Sequence, residues 1–300
     1  GLGGNHRVTH DGVANTWTGD MTINASAIFQ PGHAATLGAS NSLTVNGTLQ
    51  LNNVPQTIDG LSGTGTVRNV IGANTLTLGA GGSGGSFSGV IQNGSGTLTL
   101  VKTGAGTQIL SGDNTYTGTT TVAAGTLLVN GTHATSGLIN VSAGATFGGS
   151  GSVGLVTLAD GAFFTPGDGV GAITVAELTL SPMARVVFEL GAPSPLQTPG
   201  NDFVAVGETL TLWGTLDVSP QAGFGSPAAG DQWLLMTYGG GLADMGVSVG
   251  AAPALAPGLA YAINVETPGQ VFLTVVPEAG TGTLAALGLL RLLKVLRRRK

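Results

Sequence analysis

The carboxylates that could do chemistry in this chain are few. Asp160 and Asp168 flank a short apolar segment, and paired carboxylates on one face could supply the acid and base of a polysaccharide hydrolase. Aspartate beside glycine is also typical of turns, and we favour that interpretation. Residues 15–190 contain only three basic residues, so the basic side chains that a lyase site needs are scarce.

The histidines do not form a persuasive metal site. His6 and His10 lie near Asp11 and could bind a metal ion together, but a polar chain end explains them better. The other two histidines are His33 and His133. We therefore predict no metal, no cofactor and no catalytic residue.

Glycine-rich strings match two well-known motifs, a dinucleotide fingerprint and a nucleophile elbow. The fingerprint needs a helix whose N-terminus meets the phosphate, and the elbow also precedes a helix. No helix is predicted after any of these strings, and 53 glycines make chance matches expected. The strings are Gly149-x-Gly151-x-x-Gly154, Gly79-x-Gly81-x-x-Gly84 and Gly81-x-Ser83-x-Gly85.

The composition narrows the class of protein. Charged residues make up 8% of the 300 residues, hydrophobic residues 42%, and cysteine is absent. These values exclude a coiled coil, a disulfide-stapled scaffold and a cysteine-ligated metal protein, and they disfavour disorder. A net charge of −5 also argues against nucleic acid as a partner.

The elements available are almost all β-strands. Threonine and leucine alternate in short runs, as expected for strands with one buried and one wet face, and glycine supplies the corners. The predicted strands include 43–51, 75–78, 97–101, 126–129, 155–158 and 178–180.

Spacing between these runs suggests stacked repeats. Leu76 and Leu98 are separated by the same number of residues as Val156 and Leu178. The separation between Leu98 and Leu127 is somewhat larger. Loose periods of roughly 20 to 30 residues favour a β-solenoid, in which a thin column of small apolar residues replaces a thick core. An antiparallel sandwich or barrel remains the alternative.

One segment, 85–131, carries a long and specific pattern. It contains a Thr/Leu strand, Lys-Thr-Gly-x-Gly-Thr, then Leu-Ser-Gly-x-Asn-Thr-Tyr-Thr-Gly, a Thr-Val strand and Ala-Gly-Thr-Leu-x-Val. This segment resembles the autotransporter-associated β-strand repeat, and the resemblance implies a right-handed parallel β-helix outside the cytoplasm. The matching residues are Leu98, Lys102, Gly104, Gly106, Leu110, Gly112, Asn114, Tyr116, Gly118, Val122, Gly125, Leu127 and Val129.

The chain divides into four parts. Residues 1–14 are predicted to be a disordered end, and 15–190 the β-helix. Residues 191–276 contain clustered prolines and two of three tryptophans, and we interpret them as a C-terminal β region that caps the column. Residues 277–300 form a tail. The predicted class is therefore all-β with one C-terminal hydrophobic helix.

The tail resembles the PEP-CTERM sorting signal of bacterial envelope proteins. Pro277 and Glu278 match the start of its motif, and Ala279 replaces the second proline. The resemblance implies a membrane helix and an exosortase-like membrane protease as a partner. The matching basic residues, which would stay in the cytoplasm, are Arg297, Arg298, Arg299 and Lys300.

Charge and length support a membrane role for the tail. Six of the ten basic residues lie in the last ten positions, whereas all fifteen acidic residues precede them. The segment 279–296 is near the lower length limit for a span, and Arg291 interrupts it. An amphipathic helix on the membrane surface is the alternative. The chain begins without methionine or a visible signal peptide, as expected for a trimmed precursor or a fragment.

These observations predict a non-enzymatic structural or adhesive protein of the bacterial cell surface, exported or anchored through the tail. Its Thr/Asn/Ser-rich face would contact exopolysaccharide or cell glycans by hydrogen bonds. The alternative is a β-helical polysaccharide hydrolase or lyase, which would need clustered acidic and basic side chains on one stacked face.

Overall fold

The computed structural model describes residues 7–10 (backbone only), 19–34, 36–134 and 137–278. These residues form strands and no α-helix. The first strands are β1 (Arg7–His10), β2 (Met21–Ile23), β3 (Ile28–Pro31), β4 (Leu43–Val45), β5 (Thr48–Leu51), β6 (Gln56–Ile58), β7 (Leu61–Ser62), β8 (Thr66–Asn69), β9 (Ala73–Leu78), β10 (Gly85–Phe87), β11 (Val90–Asn93), β12 (Thr97–Lys102), β13 (Thr107–Leu110), β14 (Asp113–Asn114), β15 (Thr120–Val122) and β16 (Thr126–Val129). The later strands are β17 (Thr132–His133), β18 (Leu138–Val141), β19 (Thr146–Gly149), β20 (Ser152–Leu158), β21 (Phe163–Pro166), β22 (Ala172–Leu180), β23 (Arg185–Leu190), β24 (Phe203–Val206), β25 (Leu210–Leu212), β26 (Thr215–Pro220), β27 (Gln232–Tyr238), β28 (Leu242–Asp244), β29 (Ser248–Val249), β30 (Leu259–Asn264) and β31 (Gln270–Pro277).

The strands stack into three long sheets. Sheet I has the order β1-β3-β5-β8-β11. Sheet II runs β10-β13-β16-β19-β21-β23-β26-β29, and a bridge between Gly63 and Phe87 links it to the earlier ladder β2-β4-β7. Sheet III runs β6-β9-β12-β15-β18-β20-β22-β24-β27-β31-β30, with β25 paired to β22 and β28 paired to β25. Pairing is parallel from β1 to β29, which is the arrangement of a β-solenoid and not of an antiparallel sandwich. The handedness of the coil stays a prediction.

The predicted Thr–Leu alternation is confirmed by burial. In β9 and β12 leucines face inward and threonines outward. Each inward position stacks on the same position of the next rung, and the inward side chains of the sheets together form one continuous core. One such ladder in sheet III comprises Ile58, Leu78, Lys102, Val122, Val141, Leu158 and Leu180.

Three details of the predicted repeat differ from the structure. Leu76 is the direct partner of Leu100 on the next rung and not of Leu98, so the predicted step there is two residues too short. The predicted strand 43–51 is two strands, because Asn46 and Gly47 both donate their N–H to the Ile23 carbonyl and turn the chain between sheets. The longer step from Leu98 to Leu127 joins sheet III to sheet II, so it is not a rung. The predicted step from Val156 to Leu178 is confirmed, because these two residues are direct partners on neighbouring rungs.

The C-terminal part of the column has wider rungs and an antiparallel end. From β22 and β23 onward, the partners lie farther apart along the chain, as in the pairs of Ala172 with Phe203 and Arg185 with Thr215. β31 then pairs antiparallel with both β27 and β30. Trp233 is fully buried there, stacks on Phe224 and donates its indole N–H to the Gly191 carbonyl at 3.0 Å.

The two chain ends are described only in part. Where the sequence predicts a disordered end, residues 7–10 form β1, paired parallel with β3. At the other end, Pro277 is the last residue of β31 and Glu278 donates its N–H to the Gly258 carbonyl. Ala279, the predicted hydrophobic helix and the basic cluster lie outside the described residues. Within the described residues, no helix has the length and apolar character needed to cross a bilayer.

Candidate functional site

The two aspartates considered as a catalytic pair are not brought together. Asp160 lies at the corner before β21, where its carboxylate accepts the N–H of Met183 at 2.9 Å. Asp168 lies after the other end of β21, where it accepts a bond from the Asn130 amide at 2.8 Å. Their roles match the turn interpretation, since each carboxylate ties its loop to another rung.

A different group of carboxyls converges on the outer face of sheet II. Asp168, Glu189 and Asp202 line a groove of about 300 Å³. Its apolar part includes Leu128 and Val187, which face outward from β16 and β23. The sequence did not reveal this grouping, because the three acids come from three segments that only the register of the rungs aligns.

Asp202 is the most perturbed acid in the groove. Its side chain is fully buried, and its two oxygens accept the backbone N–H groups of Gly171 and Glu189 at 2.8 and 2.7 Å. Burial raises its pKa to about 7, against the two N–H donors that favour the carboxylate. With both oxygens engaged and no exposure, Asp202 fastens a loop to the column and cannot reach a ligand in the groove.

Sheet III presents a contrasting surface, an uncharged line of outward side chains that we call the outer ladder. Its members occupy the same position on eight successive rungs and are half-buried or exposed. Six are threonines and one is asparagine, so hydroxyl and amide groups repeat at the strand spacing of about 4.8 Å. The members are Thr57, Thr77, Val101, Thr121, Asn140, Thr157, Thr179 and Thr211.

The histidines and glycine strings do not form sites in the described structure. Side chains of His6 and His10 lie outside it, and the described residues contain no group of three or more His, Cys, Asp or Glu able to hold a metal. The glycine strings lie at corners and strands of the column, and the described residues contain no helix that could follow them.

Inside the column, the residues of the predicted repeat make a polar network that sequence reasoning missed. The ammonium of the fully buried Lys102 donates to the carbonyls of Thr103, Gly104 and Ala124 at 2.7, 3.0 and 3.2 Å. Burial lowers the pKa of Lys102, and the charge of Asp59 opposes that shift. Because an ammonium has three N–H donors, the three carbonyls satisfy all of them.

Tyr116 of the repeat belongs to a second buried cluster. Its hydroxyl lies 2.7 Å from the Thr120 hydroxyl, which lies 3.4 Å from Nε2 of His133. The Tyr116 and His133 rings meet edge to face with centroids 4.7 Å apart. Burial raises the pKa of Tyr116 and lowers that of His133 to about 4, so both side chains are neutral at pH 7.

We expect His133 to make the column sensitive to acid. An unfolded histidine titrates near 6.5, so the contribution of His133 to stability is complete above that pH and is lost as the pH falls towards 4. The loss between pH 7 and pH 5 should be about 2 kcal/mol. Asp202 has the opposite dependence, since its raised pKa favours folding as the pH falls below 7.

The His133→Gln variant separates these two effects. Urea unfolding at pH 7 and pH 5 gives the change in stability on acidification, and this change should be less favourable for the wild-type chain than for the variant by the amount above. Equal changes in the two proteins would contradict the assignment.

Comparison with known proteins gives a family match in the segment that contains Lys102 and Tyr116. Residues 100–129 match the profile of the Passenger-associated-transport-repeat family. The match runs from Leu100 in β12 to Val129 in β16 and includes Lys102 with its carbonyl partners and Tyr116 with Thr120, so it supports the predicted repeat. A curated relative is the adhesin BmaC autotransporter of Brucella suis biovar 1 (strain 1330), which is 35% identical over 165 residues. The alignment covers 53% of this chain but only 5% of that protein.

Proposed function

We propose that this chain is a non-enzymatic structural and adhesive protein of the bacterial cell surface. The observation that carries the proposal is the outer ladder, eight aligned positions without charge on a stacked column. Such a surface offers regularly spaced hydroxyl groups to hydroxyl-rich partners such as exopolysaccharide or cell glycans. Similarity to the adhesin supports this interpretation. A right-handed coil is part of the proposal, as the repeat resemblance implies.

We also propose that the tail anchors or sorts the column. Pro277 ends the last strand and Glu278 follows it, so a signal that starts there would separate the described column from the basic terminus. An exosortase-like membrane protease would recognise Pro277, Glu278 and Ala279, while Arg297–Lys300 would hold the cytoplasmic side of the envelope membrane.

A hydrolase is the second candidate, because one observation favours it. Three carboxyls line the groove on sheet II, and one of them has a pKa of about 7, as a general acid requires. The engagement of both Asp202 oxygens by backbone N–H groups argues against that role. We therefore rank the hydrolase below the adhesive column.

Truncation after Glu278 tests display and anchoring together. The truncated chain keeps β31 and its pairing to Leu259, so it should fold and be released into the medium. Cells that express the full chain should retain the protein on the envelope and adhere to polysaccharide-coated surfaces, whereas cells expressing the truncated chain should not. Envelope retention of the truncated chain would contradict anchoring, and failure of full-chain cells to adhere would contradict the adhesive function.

A further inference from the structure

Three exposed apolar side chains lie at one corner of the column, on three successive rungs. Met183 follows β22, Trp213 follows β25 and Met245 follows β28, so each lies where sheet III turns into sheet II. They are 68%, 36% and 51% exposed. We call this group the apolar ridge. Large exposed apolar groups that repeat at one place on a soluble surface usually mark a contact with a partner.

The backbone holds these corners in register. The Met245 N–H donates to the Leu212 carbonyl at 2.9 Å, and the Thr215 N–H donates to the Ala184 carbonyl at 3.0 Å. Because each rung advances the column by about 4.8 Å, the ridge extends roughly 10 Å along the axis.

The ridge adjoins the outer ladder. Trp213 closely follows Thr211 in the chain, and Thr211 pairs with Thr179 on the preceding rung and with Ala243 on the following one. The column therefore offers an aromatic and thioether platform beside a row of hydroxyl groups. An indole ring combines a flat apolar surface with a polar N–H, which suits a ligand with alternating C–H and O–H groups.

Charge decides which ligand fits. The outer ladder has no charged side chain, and the carboxylates of Asp160 and Asp244 lie at the ridge corners. The nearby Arg185 is paired with Asp217 at 2.6 Å. A sugar acid polymer or an anionic bilayer would therefore meet carboxylates and an already paired cation at this part of the described column, whereas a neutral glycan would not be repelled.

We propose that the apolar ridge and the adjoining end of the outer ladder bind a neutral, linear glycan that runs along the column axis. Trp213 stacks on a pyranose ring, Met183 and Met245 contact the sugars before and after it, and Thr179 and Thr211 hydrogen-bond hydroxyl groups. The site rests on the proposed adhesive function and gives it a location and a ligand class.

Calorimetric titration of the full chain with cellohexaose, laminarihexaose and mannohexaose tests the site. At least one of these neutral hexasaccharides should bind, and its affinity should fall at least tenfold in Trp213→Ala and several-fold in Thr211→Val. The control is Leu196→Ala, which truncates an apolar side chain that is 69% exposed and lies outside the ridge, and it should leave affinity unchanged. Far-UV circular dichroism checks that each variant folds.

Four outcomes overturn the site. They are the absence of binding by all three sugars, equal affinity in Trp213→Ala, tighter binding of oligogalacturonate than of any neutral sugar, and Trp213-dependent binding only to vesicles of phosphatidylcholine and phosphatidylglycerol. If cells bearing the full chain adhere while Trp213→Ala has no effect, the ridge site fails and the adhesive function stands. If such cells do not adhere at all, the function itself fails.

Discussion

Replacing Lys102 by methionine should lower the free energy of unfolding by roughly 3–5 kcal/mol, the largest effect we expect from one side chain. Methionine matches the length of the aliphatic part of the lysine side chain but has no ammonium and donates no hydrogen bond. The carbonyls of Thr103, Gly104 and Ala124 would then lose their shared donor at a site where Lys102 is fully buried. Urea unfolding at pH 7 measures the loss.

The matched control is Val101→Met. Val101 is the adjacent residue of β12 but faces outward, so the same new side chain should cost less than about 1 kcal/mol there. If Lys102→Met were as stable as Val101→Met, the ammonium would not be what satisfies these carbonyls.

Replacing Gly104 by alanine should be nearly as damaging, by roughly 3–5 kcal/mol. Gly104 has a φ of +63°, which an L side chain adopts only with strain. A Cβ there would also overlap the carbonyl oxygen of Gly79 on the preceding rung and lie 3.1 Å from the Gly82 Cα. These are backbone atoms, so no side chain can move aside to relieve the contact.

Gly144→Ala isolates the strain of a positive φ from the overlap with backbone atoms. Gly144 lies at the same kind of corner between sheets III and II, with a φ of +74° and nothing within 4 Å of an added Cβ. The Gly144→Ala variant should lose only about 1–2 kcal/mol of unfolding free energy, which is the cost of the backbone conformation. Denaturant midpoints of the two variants provide the comparison. Equal losses of stability in the two variants would show that the close approach of the rungs at Gly104 does not affect stability.

Together these residues explain the Lys-Thr-Gly-x-Gly-Thr string in physical terms. Lys102 occupies a position that is apolar on the other rungs of its ladder, and its ammonium holds the corner carbonyls of its own rung and of the next. Gly104 permits that corner to approach the rung before it. The residues of this string therefore make the contacts that hold one rung to the rungs before and after it.

Local patterns in the sequence predicted the stacking well. Alternating threonine and leucine in β9 and β12 identified which side chains face outward, and glycine identified the corners. The exact bounds of strands were harder, because Asn46 and Gly47 turn the chain within a run that alternates without interruption.

The groupings on the surface could not be predicted, because they depend on register between distant residues. Glu189 and Asp202 line the same groove as Asp168 because the rungs lengthen after β22, which the sequence does not signal. Met183 and Trp213 are distant in the chain and share a corner for the same reason. No short spacing in the sequence signals either arrangement.

The central claim is that this column holds glycan without cleaving it. The most direct test is to incubate the full chain with each neutral hexasaccharide and its parent polysaccharide, and to measure protein retained on the polymer and new reducing ends in the same samples. Our account predicts retained protein and no new reducing ends. Reducing ends that accumulate with the wild-type chain and disappear in Glu189→Gln would contradict it and establish the groove on sheet II as an active site.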